Sequence, residues 1–279
     1  MPKNKLIINH KSFTLRFVEG LVVSILVGLS IVTGQLSLVA GEVSPLEKAQ
    51  NDYSFQTTKF QDVKEKYQTA RSSYLTFKTA TAKNEAFLKS KDYLTQVHNL
   101  YIAYLFLINE RANTVDWSKT TYERQKVSDQ VTAEIKFLED DKKKAQDAQT
   151  LEEIPKLASD LAIHISTVTL KTAFITLATT DLAQIEDVTT SFDETATKVD
   201  TYSQKLNINE QFHLNWKSEV ETIKTKTKDA TQDPKKKLDT AISLGNYPYK
   251  SNNFEFDTSL ARQILSRTKS LLREITNYQ

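Results

Sequence analysis

The sequence predicts an all-α protein. An N-terminal transmembrane helix is followed by long antiparallel helices that form an elongated helical bundle or coiled coil. Three observations carry this expectation. Four of the five glycines (Gly20, Gly28, Gly34 and Gly41) fall near one apolar stretch at the N-terminus, and Gly245 is the only one beyond it. Tight β-turns, phosphate loops and nucleophile elbows need glycine, so a body this poor in it is left with helices joined by polar links. The second observation is an uncharged apolar run of membrane-spanning length, and the third is an unbroken heptad directly after it.

The leader, residues 1–16, is basic, and residues 17–41 hold the apolar run. Leu21–Ala40 contains no charged residue and would extend about 30 Å as a helix, the depth of a bilayer core. Its apolar side chains are Leu21, Val22, Val23, Ile25, Leu26, Val27, Leu29, Ile31, Val32, Leu36, Leu38 and Val39. Lys3, Lys5, Lys11 and Arg16 lie before it and Glu42 and Glu47 after it. This asymmetry places the N-terminus in the cytoplasm and the body outside it, with a single membrane pass. A cleaved signal peptide is the alternative, with Val39-Ala40-Gly41 as the small-residue cleavage site and a secreted body.

Lys11-Ser12-Phe13-Thr14-Leu15, followed by Glu19 and the apolar residues to Gly28, resembles the leader of type IV pilin-like proteins. The resemblance covers residues 11–28. It implies cleavage between Ser12 and Phe13, with Glu19 as the family's glutamate, and a body with a β-sheet head. Three residues separate Leu15 from Glu19 where the family has one, and Ser12 stands where glycine is usual.

Residues 42–206 read as a long-helix bundle. Ser44 and Pro45 have the N-cap and N1 pattern of a helix start. The seam that follows is Leu46, Ala49, Tyr53, Phe60, Val63, Tyr67, Ala70, Tyr74 and Phe77, with Gln56 at the one polar position. Spacings of three and four turn these residues toward one partner helix, and the aromatic content favours a partner within the same chain. A second helix is expected from about Asn84 to Asn113, with Phe87, Leu94, Tyr101 and Ile108 every seven residues. Asp116 or Ser118 is expected to cap a third, whose apolar face is Val127, Val131, Ile135, Leu138 and Ala145. Thr150 to Glu153 reads as a capping box. It would open a fourth helix, which, if unbroken from Leu151 to Leu206, would be about 84 Å long. Leu161–Thr180 is poor in charge, but six threonines and Lys171 favour a buried core helix over a second membrane span.

Residues 207–279 are expected to form C-terminal helices. Asn209 would cap one carrying Phe212, Trp216, Val220 and Ile223, and Asp233-Pro234 would open a shorter one that Gly245 ends. Residues 246–256 form an aromatic loop. Its Tyr247, Tyr249, Phe254 and Phe256 are the expected partner-binding site if the rings stand exposed together.

The chemistry is sparse. There is no cysteine, hence no disulfide, thiolate ligand or Cys nucleophile. The net charge is +2, but the first 20 residues carry +3, leaving the remainder at −1. A near-neutral body does not favour nucleic acid. Glu210 and His213 have the spacing of a di-iron ligand pair, but no second Glu-x-x-His accompanies them. His164 reads as a core-edge histidine, and the adjacent Asp140 and Asp141 as surface charges. No catalytic residue, metal or cofactor is expected, and an enzyme is the least favoured class. The expected function is a membrane-anchored or secreted extracytoplasmic scaffold or adaptor, working through contacts with other envelope proteins. The alternatives are a component of a pilin-like filament or secretion system and a helical ligand-binding sensor module.

Overall fold

The computed structural model describes residues 43–205 and 210–244. Among them the protein is helical throughout and has no strand. The helices are α1 (Pro45–Phe77), α2 (Ala80–Ala112), α3 (Arg124–Asp147), α4 (Ile154–His164), α5 (Leu170–Lys205) and α6 (Glu210–Leu244). A short 3₁₀ turn, Trp117–Lys119, precedes α3, and a π turn, Ile165–Thr169, joins α4 to α5. The apolar leader segment and the aromatic loop 246–256 both lie outside the described residues, as do Asn209 and Gly245.

Two compact units are present. The first comprises the described residues up to Arg111 together with Lys126–Phe174. In it α1 and α2 run antiparallel, joined by Lys78 and Thr79. Tyr53 packs on Tyr104 with ring centroids 5.8 Å apart, while further along α1 Phe60 and Tyr67 close on Tyr93 at 5.6 and 5.0 Å. Tyr53, Phe60, Tyr67 and Ala70 are buried, and Leu46, Ala49, Val63 and Tyr74 are half-buried. Phe77 departs from the seam. It is 68% exposed, because the helix ends there and the chain turns before the ring can reach α2.

A partly buried polar pair interrupts this aromatic interface. Gln96, on α2, donates through Nε2 to the Gln56 carbonyl at 3.0 Å and to Gln56 Oε1 at 2.9 Å. A single polar contact in an otherwise apolar seam has one partner only, so it fixes the register at which α1 meets α2. The α2–α3 pair is also antiparallel. Lys83 reaches Glu152, Lys91 the Ala148 carbonyl, and Lys142 returns to Asn99.

The helix ends show where local chemistry departs from expectation. Ser44 Oγ accepts from the Glu47 amide at 3.1 Å, so α1 begins with the expected cap. It stops at Lys78, which has φ 53° and whose N–H bonds the Tyr74 carbonyl. A left-handed stop ordinarily takes glycine, and here a lysine carries the conformational cost. Lys78→Gly is therefore expected to stabilise the protein by about 0.5–1 kcal/mol, since strain relief exceeds the added freedom of the unfolded chain. A raised thermal midpoint would show it, and a lowered one would count against strain at this turn.

Other boundaries correct the sequence reading. Asp116 caps the 3₁₀ turn, accepting from the Ser118 amide at 3.2 Å, and α3 starts only at Arg124. Thr150 does not cap a helix: its hydroxyl donates to the Glu153 carboxylate at 2.8 Å, and α4 starts at Ile154. The helical run that the sequence places from Leu151 begins at Ile154 and carries a π turn at Ile165–Thr169. Conversely, α6 continues through Pro234 where a new helix was expected. Proline removes one i→i−4 hydrogen bond, and the rest of the helix carries the turn across that loss.

The second unit comprises Ala112–Gln125 and the described residues from Ile175 onward. Here α5 and α6 are antiparallel. Phe192 and Ala196 pack with Trp216 and Val220, while Ala178 and Leu182 meet Leu238. Lys217–Asp200 and Lys224–Asp193 pair along their edge. The segment before α3 lies against α5, where the Glu186 carboxylate accepts from the Thr121 amide at 2.7 Å and from its hydroxyl. Tyr122 packs against the Leu238 cluster, and burial pushes its phenol up to about 12.

Candidate functional site

Helix α3 carries two acids on its buried stripe. Val127, Val131, Glu134, Leu138, Asp141 and Ala145 follow spacings of four and three, the period that keeps one face toward neighbouring helices. Val127, Val131, Glu134, Leu138 and Ala145 are buried, and the Asp141 side chain is 14% exposed. Carboxylates at such positions are costly unless each is hydrogen-bonded. Both find a histidine.

Glu134 is 5% exposed and faces the π turn. His164 Nε2 lies 2.9 and 3.2 Å from its two oxygens, and the Thr169 hydroxyl donates to Oε1 at 2.5 Å. Phe137, one turn along α3, stacks on the His164 ring at 3.6 Å between centroids. The π turn is what brings His164 and Thr169 to the same carboxylate. Within it the Leu170 N–H bonds the Ile165 carbonyl, a five-residue step that widens the helix. Such turns are costly and recur at functional positions. The Ile163 carbonyl nearby takes the Ser166 and Thr167 hydroxyls at 2.8 Å each.

Asp141 pairs with His98 on α2. His98 is 1% exposed, with Nε2 3.1 Å from Asp141 Oδ2 and Nδ1 2.7 Å from the Leu94 carbonyl. Lys144 approaches Asp141 Oδ1 at 3.0 Å. The hydrogen bond with His98 holds the Asp141 carboxyl below the usual carboxylate range. The stability this supplies is present above the unfolded-state value of about 3.9 and is lost as pH falls through the lowered folded value.

These contacts correct one expectation. Asp140 is a surface charge, paired with Lys136 and Lys143, but its neighbour Asp141 turns inward to His98. Adjacent helix residues point about 100° apart, so one reaches solvent while the other reaches α2. Beside it, Lys142 bonds Asn99 and Lys144 bonds Asp141. The signal for Glu134 and Asp141 was in the sequence. They fill the heptad gaps between Val131, Leu138 and Ala145.

Among the described residues no group of three or more His, Asp or Glu side chains forms a cluster that could hold a metal ion. The Glu210 and His213 side chains lie outside those described. Each acid–imidazole pair ties two helical segments together through a side-chain contact, and the first lies beside the π turn. No family model, no curated protein and no solved structure matches the chain. Its chemistry is read from its own residues.

Proposed function

We propose that the protein is a membrane-anchored or secreted extracytoplasmic helical protein with a scaffold or adaptor role, acting through protein contacts. The observation that carries this reading is Leu21–Ala40, an uncharged run with basic residues before it and acidic residues after it. We further infer that the body is an antiparallel helical bundle. The α1–α2, α2–α3 and α5–α6 contacts support this, as does the prevalence of apolar and aromatic packing in both units.

One described helix, Ile154–Lys198 counted across the π turn, is long and apolar enough to cross a membrane by length and composition. We read it as a core helix of the body. Thr169, Thr176, Thr179 and Thr180 are buried along it, and His164 and Thr169 are committed to Glu134. A lipid-facing helix gains nothing from such partners.

Sequencing the N-terminus of the native protein, with protease accessibility of the body in intact cells, tests the proposal. Start at residue 1 or 2, in the membrane fraction, is the expected result for an anchor. Start near Glu42, in the soluble exported fraction, is the secreted form of the same reading. Start at Phe13 would replace the scaffold with the pilin-like reading. A body protected from protease until the membrane is opened would overturn extracytoplasmic placement altogether.

A further inference from the structure

We propose that the outer face of the helix at the π turn, formed by Ile163 and Val168 and bracketed by Lys156 and Lys171, rests on the surface of the bilayer to which the N-terminal segment anchors the chain. This contact rests on the membrane reading of Leu21–Ala40 and adds a second point of attachment to it. The π turn creates the apolar pair. His164 and Thr169, five residues apart, both reach Glu134, so the widened turn puts residues five apart on one face. Ile163 and Val168 each come one residue earlier and therefore share a face of their own, where they stand 59% and 39% exposed. In a regular α-helix the same two side chains would point about 140° apart.

The hydroxyls of the turn are satisfied within the helix. Ser166 and Thr167 both donate to the Ile163 carbonyl at 2.8 Å. Hydroxyls folded back onto the backbone in this way need no water, which is the condition for lying against lipid. Lys156 lies two turns before Ile163 and Lys171 one turn after Val168, and among the described residues no acid pairs with either. Asp160 is the acid on this face, and the lysines outnumber it. A lysine stem can lie along apolar surface while its ammonium sits among phosphates. An exposed apolar pair rimmed by lysines is suited to an anionic lipid surface.

Packing within the first unit sets this face close to the start of α1. From the His98–Asp141 contact, Tyr104 lies six residues onward along α2 and Glu134 seven residues back along antiparallel α3, about 9 and 10 Å in the same direction. Glu134 and its partner His164 are thus level with Tyr104, which packs on Tyr53 of α1. Tyr53 is nine residues from Ser44, about 13 Å along the helix. Ala40, the last residue of the apolar run, is four residues before Ser44 in the sequence. A face held this near a tethered end needs little affinity of its own, since the anchor keeps it at high local concentration. It differs from the face committed to Glu134, so the helix lies on the bilayer without crossing it.

The chain contains no cysteine, so a nitroxide can be attached at a single position of the full chain. Ile163→Cys and Val168→Cys place it on the face, and Leu75→Cys, replacing a side chain that is 54% exposed, places it at the far end of α1 as a reference. Each labelled chain is reconstituted with vesicles of phosphatidylcholine and phosphatidylglycerol and floated. Collision of the label with oxygen, which concentrates in lipid, is then compared with collision with a nickel chelate, which stays in water. The oxygen-to-nickel ratio at 163 and 168 is expected to be several-fold above that at 75. Lys156→Glu/Lys171→Glu is expected to lower it toward the reference, and a ratio that does not move would overturn the anionic surface. A chain that floats but gives equal ratios at all three positions would overturn the contact and leave the anchor standing. A chain that fails to float would overturn the membrane reading, and the contact with it. Poor collision with both reagents, together with spin–spin broadening between labels, would put a second copy on the face in place of lipid.

Discussion

Tyr93→Ala is expected to lower the stability of the first unit by about 3–5 kcal/mol, the range for removing a large aromatic from a filled core. Tyr93 is 0% exposed and its ring meets both Phe60 and Tyr67 of α1. Stacked and tilted aromatic pairs contribute beyond the area they bury, so two are lost with one side chain. Collapse around the gap is restricted, because the Gln56–Gln96 bonds hold the two helices at a fixed register a turn away. Tyr93→Phe should cost far less, and the pair of variants separates packing from the hydroxyl. Urea unfolding of the solubilised chain is the measurement. A loss below about 1 kcal/mol for the alanine variant would mean that α1 and α2 repack freely.

His164→Leu is expected to cost about 3 kcal/mol, the scale for stranding a buried charge by removing its partner. Glu134 would lose both His164 contacts and keep the Thr169 hydroxyl in a site that is 5% exposed. The double variant Glu134→Leu/His164→Leu should recover most of that loss, since a buried pair replaced by well-packed apolar groups is often neutral. Non-additivity of this kind in a double-mutant cycle identifies direct coupling. If the two single losses simply add, Glu134 and His164 are not partners in the folded protein.

The two predictions sit on features of different visibility in the sequence. The aromatic stripe that meets Tyr93 is legible because a seven-residue repeat needs no tertiary information. Helix existence followed from that repeat and from the scarcity of glycine. Helix ends were less legible. At Thr150 the expected cap pattern was present, but the hydroxyl bonded the Glu153 side chain instead of its amide. At Pro234 a strong local breaker was outweighed by the helix on both sides. The π turn left no pattern at all, since its cause is the fit of His164 and Thr169 to an acid on another helix. Asp141 was misread because its neighbour Asp140 drew it into a surface pair, although its heptad position pointed inward.

The pairing of α1 with α2 and of α2 with α3 has a bearing on how the chain acquires its fold. Each helix of the first unit meets the one before it in sequence, and the first turn spans only Lys78 and Thr79. Contacts between sequence neighbours close small loops, which keeps the entropic barrier low and folding fast. The first hairpin contains both halves of the Tyr93 cluster and both glutamines of its register lock. It can close while the later helices are still being delivered, so the unit is suited to assembling in the order in which its residues emerge.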